Sequence, residues 1–133
     1  MILVDTNILL DIVQDDSNWA DWSQQQLDAA SLREPLCINP IIYAELSMAF
    51  ARIEQLDAVL KEGGLLLEQL PPEALFLAGK AYLRHIQRKG SKTNVLPDFL
   101  IGAHAAVAGH TILTRDVGRY QSYFPKVSLI TLK

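Results

Sequence analysis

A chain of 133 residues, half of them hydrophobic and a fifth charged, has the material for one core, and its composition excludes a disordered or low-complexity chain. A single cysteine, Cys37, excludes an internal disulfide and is too little for a zinc site built on cysteines, and no apolar run approaches the ~20 residues of a membrane span. The net charge of −3 conceals an asymmetry: residues 1–73 hold 13 of the 15 acids and three of the 12 basic residues, while residues 74–133 hold nine basic residues and two acids, Asp98 and Asp116.

Met1 to Val4 is a short, continuously apolar run, the pattern of a strand buried on both faces, and Asp5-Thr6-Asn7 supplies polar and capping residues before a helix starts at Ile8-Leu9-Leu10. Asp5 is thereby placed at the carboxyl end of a strand. With no basic lead or cleavage signal before it, a cytoplasmic location is expected. Trp19 to Ala30 is polar with apolar residues at helical spacing, and Arg33-Glu34-Pro35 ends it. Trp19 and Trp22 share one side of that helix, as core packing or as a protein contact. Leu36-Cys37-Ile38 predicts a second strand, with Cys37 a small buried residue, and Asn39-Pro40 is a helix start, a capping side chain followed by proline at the first helical position.

The helix that follows carries Ile42, Leu46, Ala49 and Ile53 on one stripe, and Glu45 falls within it. A carboxylate so placed needs a partner, because burial without one costs free energy. Leu65-Leu66-Leu67 predicts a third strand closed by Pro71-Pro72, Glu73 to Lys89 a long helix ended by Gly90, and Ser91 to Leu96 a loop. Pro97 opens a helix with Asp98 in its first turn, and Ile101, Gly102, Ala105 and Ala108 let it pack closely until Gly109 stops it. Thr111 to Thr114 predicts a strand that delivers Arg115-Asp116 at its carboxyl end. A helical turn through Tyr120 and Tyr123 and a last alternating strand, Val127 to Leu132, complete the chain.

Strands alternating with helices imply a single α/β domain over residues 1–133, a three-layer α/β/α sandwich around a mainly parallel sheet of about five strands. Such sheets bind ligands beyond the carboxyl ends of their strands, where Asp5 and Asp116 lie. Taken singly, the acids have ordinary explanations: Asp5 caps a helix, Asp98 favours a helix dipole, Asp116 forms a turn. Capping explains neither Glu45 on an apolar stripe nor two acids at strand ends. Gathered together, four carboxylates repel one another unless a cation neutralises them, and a hard divalent ion, Mg2+ or Mn2+, is the natural one. One or two such ions would activate a water for phosphodiester hydrolysis. The competing chemistries lack their motifs: His85, His104 and His110 have no zinc spacing and are expected to be structural or at the surface, and there is no phosphate loop and no nucleophile elbow.

Leu3-Val4-Asp5-Thr6-Asn7-Ile8-Leu9-Leu10-Asp11, the Glu45 helix, Pro97-Asp98-Phe99-Leu100-Ile101 and Ile112-Leu113-Thr114-Arg115-Asp116-Val117-Gly118-Arg119-Tyr120 together resemble a PIN domain, over essentially the whole chain and in order. The length and strand-first start resemble the VapC-type toxins of toxin-antitoxin pairs, which are Mg2+-dependent endoribonucleases. That resemblance implies Asp5, Glu45, Asp98 and Asp116 as the catalytic, metal-binding quartet, Thr6, Asn7 and Thr114 as polar support, a cognate antitoxin that blocks the site, and a homodimer. A close rival keeps the chemistry in RNA maturation or turnover. A rival of another class is a regulatory module that holds Mg2+ without catalysis, for which no strand supplies a phosphorylatable aspartate and its lysine.

Lys80, Arg84 and Arg88 recur at intervals of four, so on a helix they form one basic stripe, which Lys89 and Lys92 extend toward Asp98. The stripe is either a path for an RNA backbone or an ordinary solvated face. Arg115, beside Asp116, is a further candidate for RNA binding. Tyr120 and Tyr123 are candidates for stacking on unpaired bases.

Overall fold

The short apolar runs become the strands. In a computed structural model, which describes residues 1–88 and 96–131, Ile2–Val4 (β1), Leu36–Ile38 (β2), Leu65–Leu67 (β3), Thr111–Leu113 (β4) and Leu129–Ile130 (β5) form one sheet in the order β3-β2-β1-β4-β5. Every pairing is parallel, with Leu3 opposite Cys37 on one side and Ile112 on the other. β1 is the middle strand and its three residues are fully buried, as a run apolar on both faces requires.

Seven helices are seen among the described residues: Thr6–Val13 (α1), Ala20–Ser31 (α2), Pro40–Ser47 (α3), Ile53–Glu62 (α4), Pro72–Gln87 (α5), Leu96–Ala108 (α6) and Gly118–Gln121 (α7). The chain runs from β1 outward through β2 to β3, then returns across the sheet to β4 on the far side of β1. Right-handed crossovers therefore put α1 to α4 on one face and α5 to α7 on the other, which makes the three layers. The direction reverses between β1 and β4. That reversal is the switch point at which a crevice opens beyond the carboxyl ends of the strands. None of the described helices is long and apolar enough to cross a membrane.

The main core is built from β1, β2 and β4 with Ile8, Leu27, Ile42, Leu46, Leu56 and Tyr120 against them, and a smaller one joins Ala74, Ala78 and Ala81 of α5 to Phe99 and Ala103 of α6 and to Phe124. Gly102 is what lets α6 meet Phe124: a Cβ there would lie 2.4 Å from the Phe124 ring. Gly109, at φ +72°, ends α6 in a conformation that side chains resist.

Five local expectations are corrected. The helix that starts at Asn39-Pro40 stops at Ser47 instead of reaching Ile53, because the Ser47 hydroxyl turns back onto the Ala44 carbonyl (2.6 Å), and a separate helix begins at Ile53, where the Gln55 side chain accepts from the Arg52 N–H (3.2 Å). Ile53, predicted on the buried stripe, is instead 62% exposed. The first helix begins at Thr6, with Asp5 as its cap, and Leu96 already belongs to α6. The last strand is shorter than the alternating run, covering Leu129–Ile130, with the Ser128 carbonyl also accepting the Ile112 N–H (3.0 Å).

Candidate functional site

Asp5 stands where β1 becomes α1, fully buried. One carboxylate oxygen accepts the Thr6 N–H (2.8 Å) and the other accepts two hydroxyls, from Thr114 (2.8 Å) and Tyr120 (2.8 Å). Three donors offset the cost of burying a carboxylate and fix its orientation. Burial, with the charge of Asp5 and its hydrogen bond, pushes the Tyr120 phenol well above its ordinary value, so it acts as a neutral donor. The Thr114 hydroxyl is a junction. While donating to Asp5 it accepts the Asp116 N–H (3.0 Å) and the Asn7 amide (3.3 Å), which ties the turn after β4 to the start of α1. Asn7 also accepts the Arg115 N–H at 3.4 Å.

The other acids come from separate elements. Glu45, half-buried on α3, receives the Thr6 hydroxyl at 2.6 Å, which is the partner its position on the apolar stripe demanded. Asp98 lies in the first turn of α6, and burial pushes its carboxyl up to about 6; Arg119 opposes the rise, and the charges of Asp5, Glu45 and Asp116 add to it. The structure thus brings all four predicted acids within electrostatic reach of one another. Between them is a residue the sequence reading left without a role. The Arg119 guanidinium lies 3.3 Å from Asp116, 3.5 Å from Asp98 and 3.8 Å from Asp5. These are ion-pair distances beyond good hydrogen bonds, so the cation is shared loosely among three carboxylates. Burial works against its charge, but Asp5, Asp98 and Asp116 outweigh burial and hold it more firmly protonated than usual. The signal available in the sequence was the Asp116–Arg119 spacing of three, which a helical turn converts into a pair.

Four carboxylates offering only hard oxygen donors, gathered around a single loosely shared guanidinium, fit Mg2+ or Mn2+. Arg119 supplies part of that charge from within the chain.

Beside Asp98 and Arg119 opens a cleft of about 410 Å³, also lined by Arg88 and Tyr123. Tyr123 packs edge-on against Phe99 (5.0 Å between ring centres), and the Arg88 guanidinium lies over it at 5.7 Å. Of the predicted basic stripe, Arg88 therefore reaches the cleft. Lys80 sits over Phe76 (5.1 Å), Arg84 is exposed on the same helix, and Lys89 and Lys92 fall outside the described residues. Tyr120 is fully buried and engaged with Asp5, which corrects its assignment as a stacking surface; Tyr123, partly exposed, keeps that role open. Arg115 also points inward, forming a two-pronged pair with buried Asp11 (2.8 and 2.9 Å) and lying 4.8 Å over the Trp19 ring. Asp11 further accepts the Ser23 hydroxyl (2.7 Å), so Asp11, Ser23 and Arg115 clamp α1, α2 and the turn after β4. Trp19 and Trp22 meet edge to face at 5.8 Å, with Trp22 packed on the core, as the core-packing alternative expects.

The family model described as PIN domain matches residues 2–123. Among solved structures, the chain is similar to VapBC2 from Rickettsia felis bound to a DNA fragment from its promoter (22% identity, TM-score 0.76, 100% of each chain covered). It is also similar to VapBC-1 from nontypeable Haemophilus influenzae (18% identity, TM-score 0.73, 98% of each chain) and to a toxin-antitoxin complex from Klebsiella pneumoniae (20% identity, TM-score 0.66, 98% of this chain and 97% of that one). No curated protein matches the chain.

Proposed function

Because this chain belongs to the PIN-domain family, we propose that it is a divalent-metal-dependent endoribonuclease and the toxin of a toxin-antitoxin pair, with Asp5, Glu45, Asp98 and Asp116 as its catalytic and metal-binding residues. The observation that supports this reading is geometric: Asp5 and Asp116 lie beyond the carboxyl ends of β1 and β4 at the switch point, the Arg119 guanidinium lies within 3.8 Å of Asp5, Asp98 and Asp116, and Thr6 joins Asp5 to Glu45.

What Mg2+ or Mn2+ supplies when bound to these acids is a water of lowered pKa and positive charge beside the scissile phosphate. The chain does the rest. Thr6, Thr114 and Tyr120 hold the Asp5 carboxylate in one orientation, and Thr6 does the same for Glu45. The loosely shared Arg119 guanidinium is placed to move from the carboxylates to a substrate phosphate, where it would offset developing charge. Arg88 and Tyr123, across the cleft from Asp98, offer a backbone contact and a stacking face for a flexible single strand. An antitoxin partner is supported by the likeness in fold to a complex named as toxin-antitoxin, and a homodimer by the family resemblance.

Cleavage of single-stranded RNA by the purified protein, with Mg2+ and with EDTA, is the test. Cleavage is expected with Mg2+ and absent with EDTA and in Asp5→Asn and Asp98→Asn. Growth inhibition on expression, lost in the same variants, supports the toxin role, whereas equal cleavage by wild type and variants sinks the proposal.

A further inference from the structure

Away from the acid quartet, Cys37 of β2, Glu68 immediately after β3 and His110 immediately before β4 converge, and their ligand atoms all lie within 4.8 Å of one another. Dozens of residues apart along the chain, they are connected only by the fold. We infer that Cys37, Glu68 and His110 form a second metal site, distinct from the nuclease centre, that takes one borderline-soft divalent ion of the zinc class.

The geometry is close to what such an ion needs. Three donors within 4.8 Å of one another lie at most about 2.8 Å from a common point, against Zn2+ bond lengths of ~2.0–2.3 Å, so side-chain adjustments of about half an ångström close the site. The surroundings hold unmet polar capacity. Among the described residues, three buried side-chain atoms lack a hydrogen bond, and two of them are His104 Nε2 and His110 Nδ1. His104 is fully buried on α6, with its Nε2 3.5 Å from Glu68 Oε1. Its tautomer follows from the network. Asn39 Oδ1 accepts the Ile42 N–H (3.0 Å), so the Asn39 amide nitrogen donates to His104 Nδ1 (3.1 Å), and in the neutral ring Nε2 carries the hydrogen that faces Glu68. His104 is thus a positioning residue for the Glu68 carboxylate rather than a ligand. His110 Nε2 lies 2.7 Å from the same carboxylate.

Charge supports a divalent ion. The Nε2 atoms of His110 and His104 both face the Glu68 carboxylate, at 2.7 and 3.5 Å, and imidazole N–H groups so placed favour its ionised form. Cys37 is fully buried, so without a cation beside it the thiol keeps its proton. Binding then follows M2+ + HS–Cys37 → M2+–S–Cys37 + H+, and thiolate, carboxylate and neutral imidazole sum with the ion to zero net charge in a buried setting. The thiolate disfavours Mg2+ and favours zinc-class ions, which separates this site chemically from the all-oxygen quartet. Glu68, with a side chain 32% exposed, provides the route to solvent. Bound there, the ion would fasten β3, whose Leu66 and Leu67 are half exposed at the sheet edge, to β2 and to the start of β4.

The test is titration of the chelator-treated full chain with Co2+, followed by Zn2+ competition. Expected are a thiolate-to-cobalt charge-transfer absorption that saturates at one Co2+ per chain, apart from any ion taken up silently by the all-oxygen quartet, its displacement by Zn2+, and an affinity rising about tenfold per pH unit through neutrality, as release of one proton requires. The absorption should vanish in Cys37→Ser and weaken in His110→Ala, and persist in Asp5→Asn and Asp98→Asn. Cys37 is the only cysteine in the chain, so the wild-type band identifies the ligand whether or not the variants fold. A folded wild type that takes up Co2+ with no such band, or takes up none, overturns the proposal.

Discussion

Replacing Asp98 by Asn should make the metal-free protein more stable while abolishing RNA cleavage. The folded carboxyl titrates at about 6, against ~3.9 for an unperturbed aspartate, a rise of about two units or ~3 kcal/mol at 1.36 kcal/mol per unit. Because the side chain is 23% exposed, solvent screening trims this to ~2 kcal/mol. Between roughly pH 4 and 6 the folded chain keeps a proton that the unfolded chain has lost, so stability falls as pH rises through that window and levels off above it. At pH 7.5 the wild type bears the whole cost, and Asn, which keeps the shape without the charge, removes it. For a chain of this size ~2 kcal/mol corresponds to a gain of roughly 6–10 °C in Tm. Thermal unfolding in EDTA at pH 7.5 and at pH 4 measures it, the gap closing to a degree or two at pH 4, where the folded wild type is protonated. An unchanged or lowered Tm at pH 7.5, or an equal gain at pH 4, refutes the buried setting, crowded by like charge, that is assigned to Asp98.

Arg119→Gln leaves three carboxylates without their shared cation, so the apo Tm should fall by several degrees and added Mg2+ should stabilise the variant more than the wild type, as thermal shift with and without Mg2+ will show. In Gly102→Ala the new methyl meets the Phe124 ring at 2.4 Å, and urea unfolding should register a loss of about 1–3 kcal/mol. Arg88→Ala should weaken single-stranded RNA binding and reduce the slope of log affinity against log salt by about 0.7, one phosphate contact's worth, whereas Lys80→Ala, away from the cleft, should change the slope less.

The strands and their order of use were legible because β1, β2, β3 and β4 are short apolar runs bounded by capping or breaking residues, and the Asn39-Pro40 and Gly109 signals act through local backbone chemistry. Glu45 could be singled out because an acid on an apolar stripe demands a partner, although the partner, Thr6, was nameable only from the fold. Arg119, the Tyr120 hydroxyl on Asp5 and the Asp11–Arg115 clamp were not legible as contacts, since each joins residues through the tertiary fold or through a turn whose geometry local pattern leaves open. The Cys37–Glu68–His110 convergence was hidden for the same reason, with Cys37 expected to be an ordinary buried residue and His104 and His110 structural ones. The break between α3 and α4 escaped because periodicity carries on through Ile53 while the Ser47 hydroxyl and the Gln55 cap decide otherwise.

The central claim is that the acid quartet works by holding a divalent cation. Its most direct measurement is the single-turnover rate of RNA cleavage as Mg2+ is raised from an EDTA-stripped start, in wild type and in Asp5→Asn. The account predicts a wild-type rate that climbs from background to saturation and a variant that stays at background at every Mg2+ concentration; a wild-type rate independent of Mg2+, or an Asp5→Asn variant that follows the wild-type curve, would contradict it.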